Sequence, residues 1–144
     1  MTIILWFICT FGECRTETIT LSPEAVAIAT CESGNQVTFG TLNWNAINDN
    51  QHSIDTGAFQ FNSYWVWGDH DVWAIAPIAS MYAMSPMQFL KQYPTARDAP
   101  PNVQYAMFQY LWNDGYGWQH WSASRPCWSK WMTVTNNNRA VFDQ

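Results

Sequence analysis

The sequence predicts an α+β domain, mostly helical with one small β-hairpin, and three observations carry that expectation. Two Ser-Pro pairs, Ser22-Pro23 and Ser85-Pro86, are helix starts: the serine hydroxyl caps a free backbone amide, and proline takes the first helical position, where no amide donor is needed. Val103, Ala106, Met107, Tyr110 and Leu111 recur at i, i+3, i+4, i+7 and i+8, the spacing of one apolar helical face. Between these helices, SIDTGAFQFN at 53–62 mixes β-formers with a glycine and reads as a short hairpin.

At 144 residues with 48% apolar side chains, the chain has material for one core, and no repeat or linker marks a second domain. The opening segment, 1–21, holds an apolar run from Ile3 to Phe11 that is too short to cross a bilayer. Its readings stand side by side: the apolar core of a signal peptide, although the basic residues that precede such cores are missing, or an N-terminal extension that is an ordered strand or a truncated start. No later stretch reaches about 18 consecutive apolar residues, so no integral membrane segment is expected. The first helix runs from Pro23 to Ser33, with Glu24 near its positive end, and stops at Gly34-Asn35. Asn35 to Ser53 is polar and unperiodic, a long loop. In the hairpin that follows, the return strand carries Phe59 and Phe61 on one face. Ser85-Pro86 opens a short helix toward Tyr93. The amphipathic helix follows Pro100-Pro101-Asn102 and ends at Asn113-Asp114-Gly115, ahead of an aromatic loop, GYGWQHW. The folded domain is expected over 22–132, with 133–144 an irregular tail.

Charged residues make up 12% of the chain, against about 25% in ordinary soluble domains, while Trp, Tyr and Phe reach 17%. An uncharged polar surface rich in aromatics suits sugars, whose C–H faces pack on aromatic rings. Six basic residues and a net charge of -5 leave little to grip a phosphate backbone, so nucleic acid is not an expected partner. Cys9, Cys14, Cys31 and Cys127 form no CxxC or CxxH pair, which argues for disulfides in an oxidising compartment over structural zinc. Asp69-His70-Asp71 with His52 lacks a second convergent spacing, so no metal or other cofactor is expected. No nucleophile elbow surrounds a serine.

On the first helix Ala25, Ile28, Ala29 and Glu32 fall at i, i+3, i+4 and i+7, which puts Glu32 on the apolar face. An ionised carboxylate is costly there, so the group finds a partner or has its pKa raised. A raised pKa is what a general acid needs at neutral pH. The plain alternative, a glutamate at a frayed helix end in water, stays open on these residues alone.

The string AIATCESGN resembles the segment around the catalytic glutamate of resuscitation-promoting factors and related lytic transglycosylases, where the glutamate also follows a cysteine and precedes Ser-Gly. SIDTGAFQFNSYW resembles the hairpin motif of the lysozyme superfamily, and VQYAMFQYLWNDGYGWQHWSASRPC resembles the closing helix, Gly-Trp turn and cysteine of the resuscitation-promoting factors. Together these cover roughly residues 22–128, in the same order. The resemblance implies a lysozyme-like fold whose hairpin lines a substrate cleft, and cleavage of peptidoglycan at the MurNAc-GlcNAc β-1,4 bond. Glu32 would protonate the glycosidic oxygen. Ser33, Gly57, Gln60 and Asn62 would meet the sugar or orient the cleft, and Asp55 would supply a second carboxylate. Trp65, Tyr116 and Trp118 would be its aromatic walls. On intrinsic preference, Gly57, Asn62 and Asp55 suit a plain hairpin turn equally well. The resemblance also implies a Cys31–Cys127 disulfide, against a rival pairing of Cys9 with Cys14. The expected partner is a peptidoglycan glycan strand, and the setting extracellular, periplasmic or cell-wall associated, for a bacterial or a phage protein alike. Three functions stand: a lytic transglycosylase leaving 1,6-anhydro ends, a muramidase using Glu32, Asp55 and water, and a glycan-binding domain without catalysis.

Overall fold

The first helix, α1, Pro23–Ser33, begins as its cap predicts: the Ser22 hydroxyl accepts a hydrogen bond from the Ala25 amide at 3.2 Å. In the computed structural model, which describes residues 1–132 and residues 3–10 by their backbone alone, every residue from Ala25 to Cys31 is buried. A helix buried all round runs through the core instead of lying on it. The single apolar face expected from Ala25, Ile28, Ala29 and Glu32 is therefore corrected. Glu32 is only half-buried because it occupies the last turn, where the helix leaves the core. Gly34 ends the helix for another reason than the one expected. Its φ is -102°, an ordinary extended value, but a Cβ there would stand 1.9 Å from the Thr41 carbonyl oxygen. The loop folds back so closely that no side chain fits.

Ahead of α1 the chain forms an antiparallel hairpin, β1 (Thr2–Thr10) and β2 (Glu13–Thr20), in which Cys9 and Cys14 stand opposite each other in register. The long loop after α1 is not strand-free: β3 (Ile47–Asp49) pairs with β4 (Ile54–Thr56), which pairs with β5 (Phe61–Asn62), all antiparallel. Phe59 lies in the β4–β5 turn and not on the return strand, though both it and Phe61 are buried. Four further helices follow among the described residues. They are α2 (Ile75–Met81), which lacks a side-chain cap and went unmarked in the sequence, α3 (Pro86–Gln92), α4 (Pro101–Trp112) and α5, residues 125–132. The Ser85 hydroxyl and the Gln88 side chain cap α3 reciprocally. The fold is thus α+β and mostly helical. None of its helices is long and apolar enough to cross a membrane, among the described residues. The expected irregular tail, 133–144, lies outside them.

On α4, Val103, Ala106, Met107 and Leu111 are buried as the spacing predicts, but Tyr110 is exposed and Phe108 and Gln104 are buried in its place. The helix is covered on a broader side than one stripe. Phe108 stacks on Phe59 at 4.7 Å and meets Trp121 at 5.1 Å. Gln104 ties three loops to the helix. Its side-chain oxygen accepts from the Ala58 amide at 2.9 Å, and its nitrogen donates to the carbonyls of Ala99, at 2.9 Å, and Trp44, at 3.1 Å. The aromatic loop after α4 is wound into 3-10 turns, Asn113–Gly115 and Trp118–Ser124, and leads into α5. A disulfide joins Cys31 to Cys127 across 96 positions, with Cα atoms 5.9 Å apart. Cys14 is disulfide-bonded as well.

Two stability predictions follow from these ties. Gln104→Met keeps the volume and removes all three hydrogen bonds; with unpaired buried polar groups costing about 1–3 kcal/mol each, the urea midpoint should fall by the equivalent of about 3 kcal/mol or more. An unchanged midpoint would mean that water satisfies these groups. Replacing Cys31 and Cys127 together by alanine should cost about 4–5 kcal/mol, the chain-entropy value for a closed loop of this length. A loss under about 1 kcal/mol would place the stabilisation elsewhere.

Candidate active site

Three separate segments deliver side chains to one cleft of about 290 Å³. Glu32 comes from the end of α1, Asp55, Gln60 and Asn62 from β4, the turn and β5, and His120, Trp121 and Ala123 from the 3-10 turn after α4. Phe61, Val66 and Leu111 add apolar lining. A larger hollow of about 490 Å³, bordered by Ser22, Glu24 and Asp114, holds none of the candidate catalytic or sugar-binding residues.

Glu32 accepts a hydrogen bond on Oε1 from the Ser124 hydroxyl. Burial pushes its pKa above the usual glutamate range; the Ser124 hydrogen bond works against that shift, and the negative charge of Asp55 adds to it. Asp55 sits in the middle of β4, directly opposite Asn62 in register, and accepts a hydrogen bond from the Asn62 side-chain nitrogen at 3.1 Å. The Asn62 side-chain oxygen accepts from the amides of Tyr64 and Trp65, at 2.9 and 2.8 Å, so this one residue holds Asp55 and caps the turn that leaves the sheet. Gln60 has a φ of 53°, the left-handed region that glycine favours, and its side-chain nitrogen donates to the Gly57 carbonyl at 3.0 Å. Burial lowers the pKa of His120 below the usual histidine range, which leaves a neutral ring on the cleft wall at pH 7.

Of the residues singled out in the sequence, Glu32, Asp55, Gln60 and Asn62 therefore meet, and five others lie outside the cleft. Ser33 donates to the Ala29 carbonyl at 3.1 Å and accepts from the Asn43 amide at 2.9 Å, which uses its hydroxyl to fasten the loop. Gly57, at φ 84°, is buried against Gln104, whose side-chain oxygen would stand 2.5 Å from a Cβ, so its lack of a side chain serves that contact. Trp65 is exposed against His70 and accepts on its carbonyl from the Trp73 indole nitrogen at 2.9 Å. Trp118 packs under the Arg125 guanidinium at 4.4 Å. Tyr116 reaches an adjoining groove with Trp73 and Tyr110, which shares Leu111 and His120 with the cleft. Trp121, three positions after Trp118, is the tryptophan that lines the cleft. Its indole nitrogen donates to the Phe59 carbonyl at 2.9 Å.

Nothing local in the sequence marks Ser124 or Gln104. His120 has a local signal, its place between two tryptophans in GYGWQHW. Among the described residues no three His, Cys, Asp or Glu side chains gather as a metal-ligand set. His70 instead shares a hydrogen bond of 2.8 Å with the Tyr64 hydroxyl.

The raised pKa of Glu32 has a signed consequence for stability. Because the folded value lies above the unfolded one, its favourable contribution is complete below the unfolded pKa and is lost as pH rises through the folded pKa. Glu32→Gln cannot ionise and keeps an oxygen for Ser124. The variant should melt with the wild type below about pH 4 and above it at pH 7. Equal melting temperatures at both pH values would mean that the carboxyl is not desolvated.

In comparisons with known proteins, no protein-family model, no curated protein and no solved structure matches the chain.

Proposed function

We propose that this protein cleaves the glycan strands of peptidoglycan at the MurNAc-GlcNAc β-1,4 bond, with Glu32 as the proton donor. The observation that carries the reading is the meeting of the three resembling segments at one cleft: Glu32 from the first, Asp55, Gln60 and Asn62 from the second, His120 and Trp121 from the third. Nothing in their spacing along the chain requires residues so distant to converge. A half-buried glutamate with a raised pKa, in a cleft with few formal charges, is equipped to hold a proton at neutral pH and deliver it. The Cys31–Cys127 disulfide supports an oxidising, extracellular or periplasmic setting, where peptidoglycan lies.

In the transglycosylase form of this reading, Glu32 gives its proton to the glycosidic oxygen as the bond from C1 breaks, and the GlcNAc side leaves with a free hydroxyl. The Glu32 carboxylate then takes the proton of the MurNAc 6-hydroxyl while that oxygen closes on C1. A 1,6-anhydro end forms, no water is consumed, and Glu32 is protonated again. One observation favours a second form, hydrolysis: Asp55 lines the same cleft and its charge acts on Glu32. A carboxylate so placed stabilises positive charge at C1, and water replaces the 6-hydroxyl.

Mass spectrometry of purified peptidoglycan after digestion tests the reading and separates its forms. Anhydro-muramyl ends are the expected product, reducing ends support the hydrolytic form, and intact strands overturn both and leave a glycan-binding role. Asp55→Asn sharpens the choice. It should cost about 100-fold in rate if Asp55 stabilises the hydrolytic transition state, and less than about tenfold in transglycosylation.

A further inference from the structure

Ser124 lies 92 positions from Glu32 in sequence, yet its hydroxyl donates to Glu32 Oε1, and it is held there from several sides. The Cys31–Cys127 bridge fastens the residue just before Glu32 to the residue three after Ser124. Trp121, three residues earlier, is locked by its own indole bond to the Phe59 carbonyl, and its carbonyl accepts from the Trp128 indole nitrogen at 2.9 Å. That same Trp121 carbonyl is 3.3 Å from the Ser124 oxygen, so the hydroxyl proton has two acceptors within reach, a carboxyl oxygen and a fixed backbone oxygen.

We propose that Ser124 is the positioning residue of the acid: its hydroxyl holds Oε1 of Glu32 as an acceptor, so that the transferable proton is carried by Oε2. The inference rests on Glu32 being the acid. With Oε1 engaged, the neutral carboxyl is one rotamer and one tautomer, and the proton is presented in a single direction. Once that proton is gone, the same hydroxyl stabilises the carboxylate by a charge-assisted bond, which suits a group that must act next as a base. The second acceptor, the Trp121 carbonyl, keeps the hydroxyl hydrogen-bonded when the carboxyl is neutral and attracts it less. The other ionisable groups facing Glu32 in the cleft are Asp55, from β4, and His120, from the turn that carries Ser124. The acidic charge raises the Glu32 pKa and the neutral ring adds no charge, so the hydroxyl is the group here that favours the ionised form.

The test compares wild type with Ser124→Ala, and with Ser124→Thr and Ser124→Val, a pair that matches in shape and differs in the hydroxyl. Two readouts are taken: the 13C NMR titration of the Glu32 carboxyl, and the pH profile of cleavage of peptide-free glycan strands. Ala and Val should move the Glu32 midpoint and the alkaline limb upward by about half a unit or more, and lower kcat about tenfold with KM within about twofold. Thr should stay near wild type in both. If Ala does not fold, the Thr and Val pair carries the comparison. An unmoved midpoint in the variants lacking the hydroxyl overturns the proposal, as does a Thr variant that folds and titrates like Val. Absence of cleavage by the wild type overturns the proposed function instead, and the NMR titration still decides for or against the hydroxyl.

Discussion

Glu32 is governed by residues that reach it only after the chain has gone once around the domain. The helix that carries it is buried from Ala25 to Cys31 and would release its last turn to solvent, were the segment from Trp118 to Ser124 not laid against it. That segment is held by the Cys31–Cys127 bridge, by the Trp121 indole on the Phe59 carbonyl, and by the Ser124 hydroxyl on Glu32 itself. Remove the cover and the glutamate becomes an ordinary carboxylate at a helix end. Keep it, and desolvation outweighs the one hydrogen bond that favours ionisation. The site's chemistry is therefore a property of the closure and not of α1.

The other side of the cleft depends on α4. Gln104, fully buried, reaches from that helix to the turn at Ala58, to the loop at Trp44 and to the corner at Ala99, and so fixes the small sheet that presents Asp55. Gly57 belongs to the same arrangement, since only a residue without a Cβ admits the Gln104 side chain. The sheet itself is too short to be stable alone; β5 has two residues. Its position is borrowed from the helix behind it and from Phe59, which stacks on Phe108.

What could be read from the sequence was what local chemistry determines. Ser22 and Ser85 start helices because their hydroxyls meet amides three residues on, and no distant partner is involved. Gly34 and Gly57 were recognisable as glycines with a purpose, but the purpose lay in Thr41 and Gln104, which sequence spacing cannot connect to them. Gln104 falls outside the apolar stripe that the spacing of α4 predicts, and its burial depends on carbonyls and an amide from distant loops. That Trp121 and not Trp118 lines the cleft has a related cause: the turn is kinked at Trp121, with φ at -124°, so no helical period relates one tryptophan to the next. The helix α2 was invisible because it has no side-chain cap and carries Pro77 within its first turn. Glu32, Asp55, Gln60 and Asn62 were found through motif resemblance, and their meeting in one cleft is a tertiary fact.

The central claim is that Glu32 transfers the proton that breaks the glycan. Release of soluble glycan from purified peptidoglycan by Glu32→Gln, set beside the wild type and with the melting curve as a control for folding, tests it most directly. The account predicts a folded variant whose release falls by about 100-fold or more, since only the transferable proton has been lost. A folded variant that retains activity within about tenfold of wild type would contradict it.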